Sequence, residues 1–507
     1  METIKKTAIV IMIITILSKV TGFFRDITLS YFYGASSISD AYIVSITITS
    51  VLFSLIIAGI STAYIPMYKK IEYNVSRLAA ISFTNNLINI VLIVTTTIIV
   101  IGLVFSNLLV KIFAFGFDGD TLETAVIFTR IGMVGIYFTS LTQLLVGYLQ
   151  LNGKFVIPAM IGFPFNLIII LSIYVSAQSD IIVLAIGSVL AAIFQLIFLF
   201  PSLSKTTYRY STTVQFKDPH IKKMSLIVFP IMIGISIDQI NLMIDKTLAS
   251  TIVEGGISAL TYASRLNDFV QGIFVLSFVT VMFPVISNLA AQKNLTDFKK
   301  SINGVISSVI LVVVPASVGI MILSKPIIRL LFGHGSFDEQ AIHMTSQALF
   351  YYCIGMIGYA IREVLNRTFY SLQDSKTPMF NAALAVILNI TLNIVLSSFM
   401  GLKGLALATS ISALFCSFLL GVNLRKKIGP FGIKDNVITF LKVICASSVM
   451  GIVVYTIDEN TLTSWNPLLK MIVVIFTGGL TYLLLIILLK VKESKLLIHF
   501  IRDKIHL

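Results

Sequence analysis

Four charged residues stand close together in the stretch SKVTGFFRDITLSYFYGASSISDAY: Lys19, Arg25, Asp26 and Asp40. Apolar runs flank them at 8–17 and 43–60. A charge at the centre of a bilayer costs on the order of 2.5–3.5 kcal/mol on insertion scales, so it faces a cavity or a partner. A second set follows in equally apolar surroundings: Asp238, Asp245, Lys246, Arg265, Asp268, Arg362, Glu363 and Arg367. The chemistry open to these cations is anion recognition. Lys19, Arg25 and Arg265 together would hold a phosphate-bearing headgroup, and the planar fork of arginine gives paired hydrogen bonds to phosphate. The competing reading is a set of ion pairs that only lock one conformation. Asp26 and Asp40 are expected to orient the cations or make gate contacts, because an acid would repel an anionic ligand. Lys19 and Asp26 lie about two helical turns apart, so one helix face carries both. Arg25 projects roughly 100° from Asp26, and Gly22 between them permits a bend or a close helix approach. Glu363 and Arg367 have i,i+4 spacing and read as a satisfied surface or gate pair.

A candidate cation site is written in oxygen-bearing side chains. Asp238 sits deep in one apolar segment, Asn389 and Asn393 one turn apart in another, and Thr409 in a third. A carboxylate with amide and hydroxyl oxygens suits a hard cation such as Na+. The alternative is interhelical hydrogen bonding, worth about 0.6 kcal/mol per contact.

The elements that must position these residues are membrane spans. The 507-residue chain is 57% hydrophobic and 12% charged, with mean hydropathy +0.96. Soluble domains are about 25% charged. A spanning helix needs about 20 mostly apolar residues, and such segments recur along the whole chain. The short alternating segments of membrane strands are absent. Because only helices and closed barrels satisfy their own backbone in lipid, the expectation is an all-α polytopic membrane protein with fourteen transmembrane helices. They fall near 7–33, 41–66, 82–109, 123–149, 155–176, 180–201, 222–250, 257–290, 302–323, 341–370, 377–399, 402–424, 436–456 and 467–490. The first is read as uncleaved, since Ser18 and Lys19 offer no small-x-small cleavage pattern. With the N-terminus inside, the inner loops collect Lys69, Lys70, Arg77, Lys154, Lys205, Arg209, Lys376 and Arg425 among others, while the outer loops hold only Lys111, Lys325, Arg329 and Lys403. That Lys/Arg bias puts both termini in the cytoplasm. It also accounts for most of the net charge of +14 through topology and lipid headgroups, without nucleic acid.

The sequence repeats itself. GYLQLNGK, ending at Lys154 and followed by Pro158, matches FYSLQDSK, ending at Lys376 and followed by Pro378, at an offset of roughly 220 positions. Residues 1–210 and 211–430 therefore read as two six-helix lobes, and 431–507 as two extra helices with a basic cytoplasmic tail. Six is even, so both lobes enter the membrane the same way up. Transport would then be a rocking of one lobe against the other.

Several chemistries are absent. GYLQLNGK misses a Walker A motif in its glycine spacing and lacks a Ser or Thr after Lys154. The five histidines make no HExxH pair, and no G-x-S-x-G elbow appears. Cys353, Cys416 and Cys445 have no motif spacing. The expectation is a transporter, not an enzyme, with no cofactor and no assigned metal site, driven by an ion gradient, the membrane potential or substrate supply.

SKVTGFFRD, Tyr33-Gly34 and Ser39-Asp40-Ala41-Tyr42, with YASRL from Tyr262, LFGHGSF from Leu331 and FYSLQDSKTP from Phe369, resemble the signature of the MurJ/MviN lipid II flippases of the multidrug/oligosaccharidyl-lipid/polysaccharide exporter superfamily. The resemblance covers essentially the whole chain. It implies a bacterial cytoplasmic membrane protein that moves the undecaprenyl-pyrophosphate-linked peptidoglycan precursor between leaflets by alternating access. It implies that Lys19, Arg25 and Arg265 bind substrate, that Asp26 and Asp40 are the family's acids, and that Asp238, Asn389, Asn393 and Thr409 form a cation site for Na+ or H+ as coupling ion. The two extra helices resemble those forming a groove for the lipid tail. Partners would be lipid II or a related polyprenyl-linked oligosaccharide, membrane lipids and cell-wall synthesis proteins. The chain departs from the family pattern at Lys19, where arginine is usual, and in the uncharged second-helix segment VLFSLIIAGI. A flippase for another polyprenyl-linked oligosaccharide and a cation-coupled multidrug exporter share the scaffold and remain alternatives. A non-transporting scaffold for cell-wall enzymes is a further one.

Overall fold

In the computed structural model the described residues, 2–460 and 465–491, form helices joined by loops, with no strand among them. The basic tail beyond 491 lies outside the described residues. The chain divides into two compact units. The first is Met1–Ser258 with Gly335–Asp338. It contains α1 (Glu2–Tyr33), α2 (Ser37–Asn74), α3 (Arg77–Val104), α4 (Ser106–Phe113), α5 (Gly119–Leu151), α6 (Val156–Met160), α7 (Gly162–Ser176), α8 (Ile182–Ile197), α9 (Phe200–Leu203) and α10 (Pro219–Ile252). The second is Ala259–His334 with Glu339–Leu507. Its helices are α11 (Gly256–Ala291, whose first turn through Ser258 belongs to the first unit), α12 (Leu295–Ile322), α13 (Ser324–Leu331), α14 (Glu339–Ser371), α15 (Lys376–Met400), α16 (Leu402–Ile428), α17 (Ile433–Asn460) and α18 (Pro467–Leu488).

Among the described residues, eleven helical segments are long and apolar enough to cross a membrane. This is a multi-pass membrane protein. Three further long helices, α1 of 32 residues, α10 of 34 and α11 of 36, stand where the sequence puts spans one, seven and eight. They are the ones that carry Lys19, Arg25 and Asp26, then Asp238, Asp245 and Lys246, then Arg265 and Asp268.

Short polar residues start several of the helices. Ser36 accepts from the Ser39 amide at 3.4 Å, and Ser76 from the Ala79 amide at 3.1 Å. Asp218 and Asn466 cap α10 and α18 just before Pro219 and Pro467, where a missing N–H costs nothing. Each cap satisfies an amide that the helix itself leaves open.

The halves repeat their element lengths. α3, α4 and α5 run for 28, 8 and 33 residues, and α12, α13 and α14 also run for 28, 8 and 33. Packing repeats too: α3, α4 and α8 lie on α5 as α12, α13 and α16 lie on α14, and α7 lies on α8 as α15 lies on α16. Small residues let these helices touch. Gly358 sits against the backbone of Ala413 and Leu414, where any side chain would collide. The appended pair has no counterpart: α17 lies on α12, and α18 on α17.

Candidate functional site

The first helix carries its charge in a braced form. Arg25 donates from Nε and Nη2 to Asp26 Oδ1 at 3.0 and 2.7 Å, and from Nη1 to Asn166 Oδ1 of α7 at 3.4 Å. Asn166 is buried at 6% exposure and donates its Nδ2 to Thr21 Oγ1 at 3.1 Å and to the Ser18 carbonyl at 3.4 Å. Gly22 faces Asn166, and a Cβ there would lie 3.6 Å from its Nδ2, an ordinary contact, so the approach does not depend on glycine. A second tie, Tyr33 Oη to Ser176 Oγ at 2.7 Å, joins the other ends of α1 and α7. The three Arg25 bonds use three of the five guanidinium N–H groups. Among the described residues the other two meet no partner and could face the oxygens of an anion, on a side chain 23% exposed beside an Asp26 that is 13% exposed. Lys19 stands exposed earlier on the same helix.

Asp40 has a different setting. It is buried, in the first turn of α2, and accepts from the Ser258 amide at 2.7 Å. Ser258 lies in the first turn of α11, so the carboxylate caps that helix from a separate one, where helix amides and dipole both favour an anion. Lys246, also buried, is near enough for its charge to act on Asp40. Around this point the turn from Tyr31 to Ser39 collects further ties. Ser37 N–H donates to Glu254 Oε1 at 3.1 Å, and Ser336 N–H donates to the Tyr31 carbonyl at 2.8 Å. Gly34 and Gly335 have φ of 62° and 65°, and a Cβ on either would strike the carbonyl of Ser336 or Tyr31. The segment around Tyr33-Gly34 thus meets the Gly335–Phe337 end of LFGHGSF backbone to backbone within the first unit.

Arg265 and Asp268 lie exposed on α11 of the second unit. Further along that unit, Arg367 pairs with Glu363 at 3.0 Å and lies over the Phe283 ring, while Arg362 lies over Tyr359. The i,i+4 spacing thus yields a direct ion pair.

Asn389, Asn393 and Thr409 come together between α15 and α16. Asn393 Nδ2 donates to Asn389 Oδ1 at 2.8 Å, Asn389 Nδ2 to Thr409 Oγ1 at 3.4 Å, and Thr409 Oγ1 to the Leu405 carbonyl at 3.0 Å. Both asparagines are buried. Asp238 belongs to the first unit, and its side chain lies outside the described residues. Among the described residues no group of three or more His, Cys, Asp or Glu is placed to hold a metal.

Two partnerships escape sequence reasoning. Asn166 is a single amide in the apolar run FPFNLIII, far from Arg25 in the chain. The cluster Asn85, Asn86 and Asn89 in FTNNLINI holds the extended segment 209–215 that follows α9. Asn89 donates to the Ser211 and Thr213 carbonyls and accepts from Tyr210 Oη at 2.6 Å. Asn86 exchanges two bonds with the Gln215 backbone. Three asparagines in five residues of a span were the available signal.

The fold is shared with transporters of the MOP superfamily. An inward-facing multidrug resistance MATE family transporter superimposes with TM-score 0.69 over 83% of this chain and 98% of its own, at 14% identity. Likeness is greater to a structure described as lipid II flippase MurJ, inward closed conformation: TM-score 0.82, 27% identity, 96% of this chain and 100% of that one. Probable lipid II flippases MurJ of Vibrio cholerae and Thermotoga maritima are each 29% identical, over 97% of this chain and 97% and 98% of theirs. The family model for lipid II flippase MurJ matches residues 29–476, and this chain belongs to that family.

Proposed function

We propose that the protein moves lipid II from the inner to the outer leaflet of the bacterial cytoplasmic membrane, with both termini in the cytoplasm and no covalent step. Arg25 is the observation that carries this reading. A guanidinium braced by Asp26 and Asn166, with two N–H groups left over, matches the pyrophosphate of such a lipid in charge and in geometry. Arg265 and Lys19 complete the anion-binding set, and Asp26 orients instead of binding. Family membership and the relatives' names support the same cargo. Na+ or H+ is the coupling ion in this reading. Asn389, Asn393 and Thr409 supply neutral oxygens, and Asp238 is the one member of that set that can carry a proton. Dissipating the Na+ and proton gradients separately in proteoliposomes identifies the ion, and flipping indifferent to both removes the coupling.

Complementation tests the cargo. The wild-type chain should restore growth to a strain depleted of its lipid II flippase, and labelled lipid II should become accessible in the outer leaflet. Failure of the wild type to do so, with rescue of a strain lacking a flippase for another polyprenyl-linked oligosaccharide, replaces the cargo. Arg25→Ala and Arg265→Ala should each insert normally and abolish rescue. Full rescue by both sinks the anion-binding role.

A further inference from the structure

Pro315 lies inside α12. A proline has no N–H, so the carbonyl four residues earlier, that of Leu311, loses its helical partner. Tyr482 of α18 donates its hydroxyl to that same carbonyl at 2.7 Å, in a buried contact. Tyr482 is 7% exposed and so is Leu311. In a membrane core no water stands by to satisfy the open acceptor. The next turn of α12 is tied on another side, by Ser317 Oγ donating to the Cys353 carbonyl of α14 at 2.5 Å.

The repeat makes a control within the molecule. α3 and α12 are equally long, so the position matching Pro315 is Thr97. Thr97 keeps its N–H, and its hydroxyl bonds within its own helix to Ile93 at 3.1 Å. No appended helix packs on α3, whereas α17 and α18 both pack on α12. The proline and the tyrosine therefore occur together, in the half that carries the extra pair.

We infer that Tyr482 is a positioning residue that latches the C-terminal helix pair to a proline-opened turn of α12, so that a change of bend at Pro315 is transmitted to α18. The latch makes the added helices part of the working second unit. The inference stands on geometry alone and holds whatever the cargo is.

Hydrogen exchange on the full-length protein in detergent tests it. Tyr482→Phe keeps the ring and removes the donor, and should speed exchange of the amides at 316–319 about tenfold. Pro315→Ala restores an N–H to the Leu311 carbonyl. In that background Tyr482→Phe should change exchange less than twofold. Thr481→Val, which removes a neighbouring hydroxyl bonded along its own helix to Thr477, should leave 316–319 at the wild-type rate. The latch is overturned if Tyr482→Phe matches the wild type, if Thr481→Val is equally disruptive, or if the effect is the same with and without Pro315. Should Pro315→Ala not fold, the contrast between Tyr482→Phe and Thr481→Val decides.

Discussion

In the first half of the chain, the polar contact between α1 and α7 is charged and partly open: Arg25 holds Asp26 and Asn166 and keeps N–H groups in reserve. In the second half, the contact between α15 and α16 is neutral and built on two buried asparagines: Asn393 donates to Asn389, Asn389 to Thr409, and Thr409 to the Leu405 carbonyl. The two contacts are not equivalent in the repeat: α15 on α16 matches α7 on α8, and α1 is a further neighbour of α7. The difference lies in what each network has left to give. A guanidinium with spare donors suits an anion, whereas amide and hydroxyl oxygens suit a small cation, and of the amide bonds only that from Asn389 to Thr409 joins two helices. Substitution should separate the two. Arg25→Lys keeps the charge and loses the fork, so transport should fall by about 10- to 100-fold, the weight of about 1.5–3 kcal/mol for a charge-assisted bond. Asn389→Leu should cost about 0.6–1.7 kcal/mol of stability and, by removing one oxygen of the proposed ion site, weaken the ion dependence of flipping more than the ion-independent rate. Flipping rates and thermal unfolding of both variants in one preparation check this. Equal transport loss with equal destabilisation would erase the distinction.

The spans were legible because apolar length is a property of local sequence. So was the family signature, whose segments are short and contiguous. The presence of charge in α1 was legible as well, but its bracing was not. Asn166 and Arg25 are 141 positions apart, and a lone asparagine in an apolar run carries no mark of its partner. Asp40 was expected as an orienting or gate acid, and the structure specifies its contact as a helix cap through Ser258. No periodicity encodes that. Repeat and packing also measure different things. The repeat puts 211–430 in one lobe, whereas packing joins α10 and the segment Gly335–Asp338 to the first compact unit.

The asparagines of α3 sharpen the comparison between halves. The matching helix, α12, meets α17 through Ser307 and Asn436, whereas α3 spends Asn85, Asn86 and Asn89 on an extended segment with no structure of its own. Asn89→Ala removes three bonds from that segment. Trypsin cleavage at Lys205, Arg209 or Lys217 should then accelerate about tenfold, given about 0.5–1.5 kcal/mol net per bond. An unchanged cleavage rate would mean that the segment is held by something other than the ladder.

The smallest expected effect sits in the matching loops after α5 and α14. In the first, Asn152 accepts from Arg77 at 2.9 Å and Lys154 donates to the Ser202 carbonyl at 2.7 Å. In the second, Asp374 accepts from the Thr377 amide and hydroxyl and pairs with Lys427 at the end of α16. Only the second clasp contains a carboxylate. The hydrogen bonds from Lys427 and Thr377 hold the Asp374 carboxyl down at about 2. Its folded value lies below its unfolded one, so its contribution is complete above about pH 4 and is lost as pH falls through about 2. Asp374→Asn keeps an acceptor for the Thr377 amide and removes the ion pair. Because Lys427 is 41% exposed, the pair is screened, and the variant should lose no more than about 1 kcal/mol at neutral pH. The gap between variant and wild type should close as pH drops from about 4 towards about 2, while Asn152→Ala shows a pH-independent loss. A gap that stays constant over that range would show that the two clasps are equivalent after all, with the charge in the second adding nothing to the cap.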